Sequence, residues 1–186
     1  FAYVPIDQKT LEDGSAAGQR RLGETILGAV KQAGITTKNV AGGMPASKTF
    51  TSIVRVDNLP EAELMGAIKY QLDKYIPMPI DEATVDYLSL GVCPFDSTKA
   101  EMLISSTAVD FAETRMELIE SFGFNVIAQE PESLAMARAL TPVGVQDARM
   151  IIDLGERSTD LVVMYQGLPR LVRSVPGGLN ALIKAV

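Results

Sequence analysis

The segment Ile151-Ile152-Asp153-Leu154-Gly155-Glu156-Arg157-Ser158-Thr159-Asp160-Leu161-Val162-Val163 holds the residues best placed to do chemistry. An apolar run ends in a carboxylate, a short polar turn follows, and a second apolar run returns. Gly155 lets the backbone approach a phosphate closely, because no Cβ stands in the way. Ser158 and Thr159 supply hydroxyl donors for phosphate oxygens, turn N–H groups add to them, and Asp153 can hold a hydrated magnesium ion. The same pattern also describes an ordinary β-hairpin whose turn residues are merely polar, and this segment alone does not choose between the two.

Composition removes most other chemistries. The chain has no histidine and one cysteine, Cys93. It therefore cannot build a Ser-His-Asp triad, a Cys-His pair, a His-ligated zinc site or an internal disulfide. A net charge of −6 without a dense Lys/Arg cluster argues against nucleic acid as a partner, since tracking phosphates needs a basic stripe. Asp, Glu, Lys, Arg or Gly interrupts every apolar run before it reaches the roughly 18 to 20 residues of a membrane span. A single thiol and the lack of a signal-peptide pattern point to the cytoplasm, while the start at Phe1 suggests that sequence upstream is missing.

The elements that must position the turn can be read from periodicity. Phe1 to Ile6 alternates like a short strand, a polar loop runs from Asp7 to Gly18, and Leu22, Ile26, Val30 and Ala33 recur at helical spacing before Gly34. Val40 to Met44 and Thr49 to Val56 read as strands. Pro60 opens a helix to about Lys74 with Leu64, Ala67, Ile68, Leu72 and Tyr75 on one face, and Pro77 and Pro79 stop it. Thr84 to Gly91 and Glu101 to Ser106 are strands joined by a loop containing Pro94, Asp96 and Ser97. Phe111, Leu118, Ile119 and Phe122 mark a helix ended at Gly123. Thr49 to Phe122 thus forms a β-α-β-β-α unit of two layers. Phe124 to Ala128 is a further strand and Glu130 to Leu140 a helix with Pro131 in its first turn. Met150 to Asp153, Asp160 to Tyr165 and Leu171 to Val175 form a meander, with Gly155 to Thr159 and Gln166-Gly167 as its connections. Apolar Ile76, Met78 and Ile80 require a surface to pack against.

The turn resembles the second phosphate motif of the actin, sugar kinase and heat-shock chaperone ATPase superfamily. Glu130-Pro131-Glu132-Ser133-Leu134-Ala135 is similar to the segment preceding that motif in the chaperones, where the glutamate lies near the attacking water and magnesium. That resemblance makes Glu130 the candidate catalytic residue; the alternative is a glutamate that favours a helix N-terminus through the dipole. Gly177-Gly178 falls where the superfamily passes backbone close to the adenosine, although Pro176-Gly177 is equally a turn signal.

A narrower resemblance spans nearly the whole chain. It is carried by Gly34-Ile35 and Lys38-Asn39-Val40 before Met44-Pro45, by Leu59-Pro60-Glu61-Ala62-Glu63-Leu64 leading into Tyr75-Ile76-Pro77-Met78-Pro79-Ile80, and by Asp153 to Val163 followed by Gly167-Leu168-Pro169. These blocks resemble the type IV pilus assembly PilM family; the related FtsA proteins match the middle block less well. The resemblance implies an α/β, actin-like (ribonuclease H-like) fold, truncated, with residues 49–122 as an inserted α+β subdomain. Residues 1–48 and 123–148 would belong to the first half and 149–186 to the start of the second. It also implies a cytoplasmic scaffold at the inner membrane that binds an N-terminal peptide of PilN and other pilus assembly proteins. ATP with magnesium would be a structural or regulatory ligand of the intact protein, held through Asp153, Gly155, Ser158, Thr159, Gly177 and Gly178. The first phosphate motif would lie before Phe1, so this fragment is expected to bind no nucleotide. An ATPase with catalytic turnover, relying on Asp153 and Glu130, is the alternative.

Overall fold

The computed structural model describes residues 2–7, 9–10, 13–60, 63–64, 66, 68 and 71–185. The expectations placed on Phe1, Glu61, Ala62, Ala67 and Val186 lie outside the described residues. The chain divides into two compact units, Phe1–Gly42 with Glu113–Gln129, and Gly43–Ala112 with Glu130–Val186.

In the first unit, helix α1 (Ala16–Gln32) starts earlier than its apolar spacing suggested, because Ser15 caps it by accepting from Gly18 N at 3.1 Å. It ends where expected, at Gly34 with φ +68°, a conformation that favours glycine. A Cβ at Gly23 would lie 2.5 Å from the ring of Phe122, so the helix can approach that ring only through a glycine. Residues 2–7 form no strand. Their alternation is real, but no described strand pairs with them, and an unpaired strand has nowhere to place its hydrogen bonds. Strands β1 (Asn39–Met44) and β5 (Asn125–Pro131) pair as a two-stranded sheet.

In the second unit, β2 (Thr49–Asp57), β3 (Ala83–Cys93) and β4 (Asp96–Ala108) form an antiparallel sheet of order β2-β4-β3, separate from the other two sheets. The hairpin joining β3 to β4 is tighter than the expected loop. Cys93 pairs with Asp96, only Pro94 and Phe95 lie between, and Asp96 and Ser97 belong to the strand. Helix α2 (Val109–Ser121) follows β4 directly. The chain is helical at residues 63, 64, 66 and 68, after Pro60 O has accepted from Glu63 N and Leu64 N, and a 3-10 turn closes the segment at Leu72–Lys74.

That segment covers one face of the sheet. Leu64, Ile68, Leu72 and Ile76 pack with Val54, Val56, Ala100, Met102 and Ile104, and Tyr75 and Met78 join from the side. Ile76 and Met78 therefore find the surface they require, whereas Ile80 is 38% exposed. Helix α3 (Glu132–Leu140) packs Leu134 and Ala137 against Val162, Met164 and Val172 of the third sheet, the antiparallel meander β6 (Arg149–Leu154), β7 (Ser158–Tyr165) and β8 (Leu168–Pro176). Ile53 of β2 reaches the same cluster from the sheet face opposite Val54. Helix α4 (Leu179–Ala185) follows β8.

Met102 and Ile104 are fully buried. Met102→Ala should destabilise the protein by about 2–5 kcal/mol, through lost apolar transfer and the cavity left behind. Leu88→Ala, at a position 58% exposed on the neighbouring strand, should stay within about 0.5 kcal/mol. Urea unfolding followed by circular dichroism checks both.

Candidate functional site

The turn lies between two paired strands, of which β7 buries alternate residues on one face while β6 is exposed except at half-buried Ile151. Ile151 of β6 and Asp160, Val162 and Met164 of β7 share that face, with Asp153 directly opposite Asp160 and Leu154 opposite Thr159. Gly155 N donates to Ser158 O at 3.0 Å and closes the turn. At its other end the β7–β8 hairpin turns through Gln166 (φ 55°) and Gly167 (φ 73°), the positive-φ pair of a type I′ turn. Strand β8 after it returns the chain to the first turn.

There Gly177, at φ +114°, redirects the backbone. Gly177 N donates to Arg157 O at 2.9 Å, Leu179 N to Gly155 O at 2.8 Å, and Asn180 N to Glu156 O at 3.1 Å. Thr159 Oγ1 donates to Gly177 O at 2.9 Å. A Cβ on buried Gly178 would lie 2.7 Å from the carbonyl carbon of Glu156 and 2.8 Å from Arg157 N, so only glycine permits this crossing. Gly155, Ser158, Thr159, Gly177 and Gly178 are thus brought into one knot of backbone. Two donors expected to face a ligand are engaged within the protein: the Thr159 hydroxyl, and that of Ser158, which donates to Asp160 Oδ2 at 3.3 Å. Either must rotate to reach a phosphate oxygen.

The two aspartates differ sharply. Asp153 is exposed beside the turn, whereas Asp160 is 5% exposed and its Oδ1 has no hydrogen-bond partner among the described residues. Asp160 also lines a cavity of about 30 Å³ with Thr49, Thr51, Ser133 and Ser174, room for one water-sized occupant. Sequence reasoning passed over Asp160, yet it shares the strand parity of Val162 and Met164, which marks it as inward-facing.

Glu130 is not at a helix start. It lies in β5, Pro131 occupies the N-cap position of α3, and Glu132 is the first helical residue. Proline, with no N–H to satisfy, suits that junction, and the Glu132 carboxylate instead accepts from Ala46 N at 3.2 Å. Both Glu130 oxygens accept from the Arg138 guanidinium, at 2.7 and 2.8 Å. That fork holds the Glu130 carboxyl below the ordinary glutamate value, against a smaller opposing effect of burial. A carboxylate so held is poorly disposed to take a proton from water.

Among the described residues no helix is long and apolar enough to cross a membrane, and no group of three or more His, Cys, Asp or Glu side chains could hold a metal ion. A glycine-tight turn on a three-stranded meander, with an exposed aspartate at its shoulder, belongs here to an actin-like fold. The chain is a member of the type IV pilus assembly protein PilM family, whose family model matches residues 1–174. It is similar to a solved structure of a PilM-PilN type IV pilus biogenesis complex, with a TM-score of 0.78 and 18% identity over 98% of this chain. It is also similar to the cytoplasmic domain of EpsL, an inner membrane component of the type II secretion system of Vibrio cholerae, with a TM-score of 0.59 and 16% identity over 86% of this chain. The chain spans 56% and 57% of those two chains.

Two outcomes are expected at the site. Gly178→Ala should push the α4 start away from the turn, lowering stability by about 1–3 kcal/mol through overpacking and speeding exchange of the Leu179 and Asn180 amides. Hydrogen exchange read by mass spectrometry and a thermal melt measure both. Arg138→Ala should move the Glu130 titration upward in an NMR pH series. Because the folded-state value is depressed, the pair's contribution is present above the unfolded carboxyl value of about 4.3 and is lost as pH falls through the folded value. With Arg138 largely exposed, solvent screening keeps that contribution small at neutral pH.

Proposed function

We propose that the protein to which this chain belongs is a cytoplasmic scaffold of type IV pilus biogenesis, at the cytoplasmic face of the inner membrane, that binds magnesium-ATP as a structural or regulatory ligand. The observation that carries the nucleotide reading is the knot of Gly155, Thr159, Gly177 and Gly178 beside exposed Asp153. Bound ATP would supply a magnesium-linked polyphosphate, whose charge draws the turn and its neighbours together. Asp153 would hold the hydrated ion through water, its carboxylate being open to solvent and next to the turn. The Ser158 hydroxyl, now directed at Asp160, is the donor most readily turned toward an oxygen. Gly155 keeps the approach free of side chain.

The scaffold reading rests on two supports. The similar PilM structure was solved as a complex with PilN, and the one carboxylate expected to position water, Glu130, is instead forked by Arg138. The N-terminal cytoplasmic peptide of PilN is the proposed partner, with other pilus assembly proteins joining through it and holding the protein at the membrane.

Calorimetric titration of the full-length protein with magnesium-ATP tests the nucleotide half. Asp153→Ala should weaken binding about 10- to 100-fold, the worth of one charge-assisted contact. Unchanged binding would show that the cleft is assigned wrongly. In the same preparation a PilN N-terminal peptide should bind, and steady phosphate release unaffected by that peptide would instead make the protein a turnover ATPase.

A further inference from the structure

A carboxylate is buried in the middle of the β2-β4-β3 sheet, far along the chain from the turn. Glu101 of β4 is 3% exposed, on the face opposite Met102. Its Oε1 accepts from Arg55 Nε at 3.1 Å and from the Cys93 thiol at 3.3 Å, both on neighbouring strands. Its Oε2 accepts from Arg170 Nη1 of β8, in the meander. The Arg170 side chain is 11% exposed. Close by, the Phe95 ring at the tip of the β3–β4 hairpin stacks on Tyr165 at the tip of the β7–β8 hairpin, centroids 6.5 Å apart and planes 19° from parallel. Burial pushes the Glu101 carboxyl up, but the bonds from Cys93, Arg170 and Arg55 outweigh it and keep it ionised.

A buried ion pair is weak evidence for stability, since apolar side chains of equal volume hold two surfaces together at least as well. What it adds is direction: the meander must approach so that Arg170 Nη1 reaches Glu101 Oε2, although Arg170 Nε finds no hydrogen-bond partner among the described residues. The two ends of that approach are unlike. At the Tyr165–Arg170 end the sheet and the meander are closed by the ion pair and the ring stack. Toward the Ser158 end the surface between β2 and β8 holds the small cavity lined by Thr51, Asp160 and Ser174 together with Ala46, Pro131 and Val172. Strand β7, paired with β6 over Thr159–Met164 and with β8 along its length except for a register shift at Val163/Met164 that leaves Arg170 in a bulge, spans the roughly 23 Å between the two ends.

We propose that Glu101 and Arg170 form a pivot that fixes the angle of the meander on the β2-β4-β3 sheet, so that the angle at the pivot governs the order of the turn at residues 155–160 and its Gly177–Gly178 cover. Events on the sheet and events at the turn are then coupled through β7. Neither residue touches the turn, so both are positioning residues. The pivot stands on geometry alone; only the identity of the ligand that would exploit it rests on the nucleotide reading above.

Hydrogen exchange of the full-length protein distinguishes orientation from mere stability. Arg170→Met leaves Glu101 short of a partner, and the amides of residues 158–160 and 177–180 should exchange about tenfold faster. The double variant Glu101→Leu/Arg170→Met removes both charges. It should regain most of the melting temperature yet leave the same turn amides fast, while the amides flanking Met102 in β4 return to wild-type rates. Turn amides at wild-type rates in either folded variant would overturn the pivot. So would a double variant in which turn and β4 amides recover together, because the pair would then be acting through stability alone. Adding magnesium-ATP to the wild-type protein separates the two readings: a turn that gains no protection overturns the nucleotide assignment and leaves the pivot result standing.

Discussion

Strand β4 must satisfy two interfaces at once, and the second unit is organised around that requirement. From Ala100 to Ile104 every residue is buried. Ala100, Met102 and Ile104 serve the core under the 63–78 segment, while Glu101 and Leu103 face the other way. A central strand buried on both sides usually reads as a continuous apolar run. Here one position is a carboxylate, tolerable only because Arg55, Cys93 and Arg170 converge on it. The second face of the sheet is thereby committed to the meander that carries the glycine-tight turn.

That commitment explains why residues distant in sequence meet in one unit. Ile53 of β2 joins Val162, Met164 and Val172, and Thr49 and Thr51 line the same small cavity as Asp160 and Ser174. The inner face of the meander thus changes character along its length. It is apolar where Val162 and Val172 meet α3 and β2, and polar near the turn, where an aspartate oxygen lies buried and hydroxyls gather.

Local patterns made much of this legible. Richness in β-branched residues located β2, short apolar runs joined by turn residues located the meander, Gly34 and Gly123 marked helix ends at positive φ, and the polar turn after Asp153 announced itself by residue type. Boundaries failed where one hydrogen bond decided them: Ser15 lengthened α1 toward its N-terminus, and the two-residue turn at Pro94-Phe95 lengthened β4. The strand expected over the first residues failed because alternation implies a strand only where a partner pairs with it. Glu130 was misplaced because its neighbour Pro131 suits a helix N-cap as well as a first turn. The Glu101–Arg170 pair, separated by 69 positions, left no local trace, since neither residue type nor spacing announces a contact formed only by tertiary docking.

Cys93 is the only thiol in the chain, 3% exposed and bonded to Glu101. A bulky thiol reagent can reach it only when the β3–β4 hairpin lifts from its surroundings, so each chain can be modified once and at one place. The rate of that labelling, followed by absorbance, is a built-in clock for the opening of the buried ionic cluster, and it needs no engineered probe.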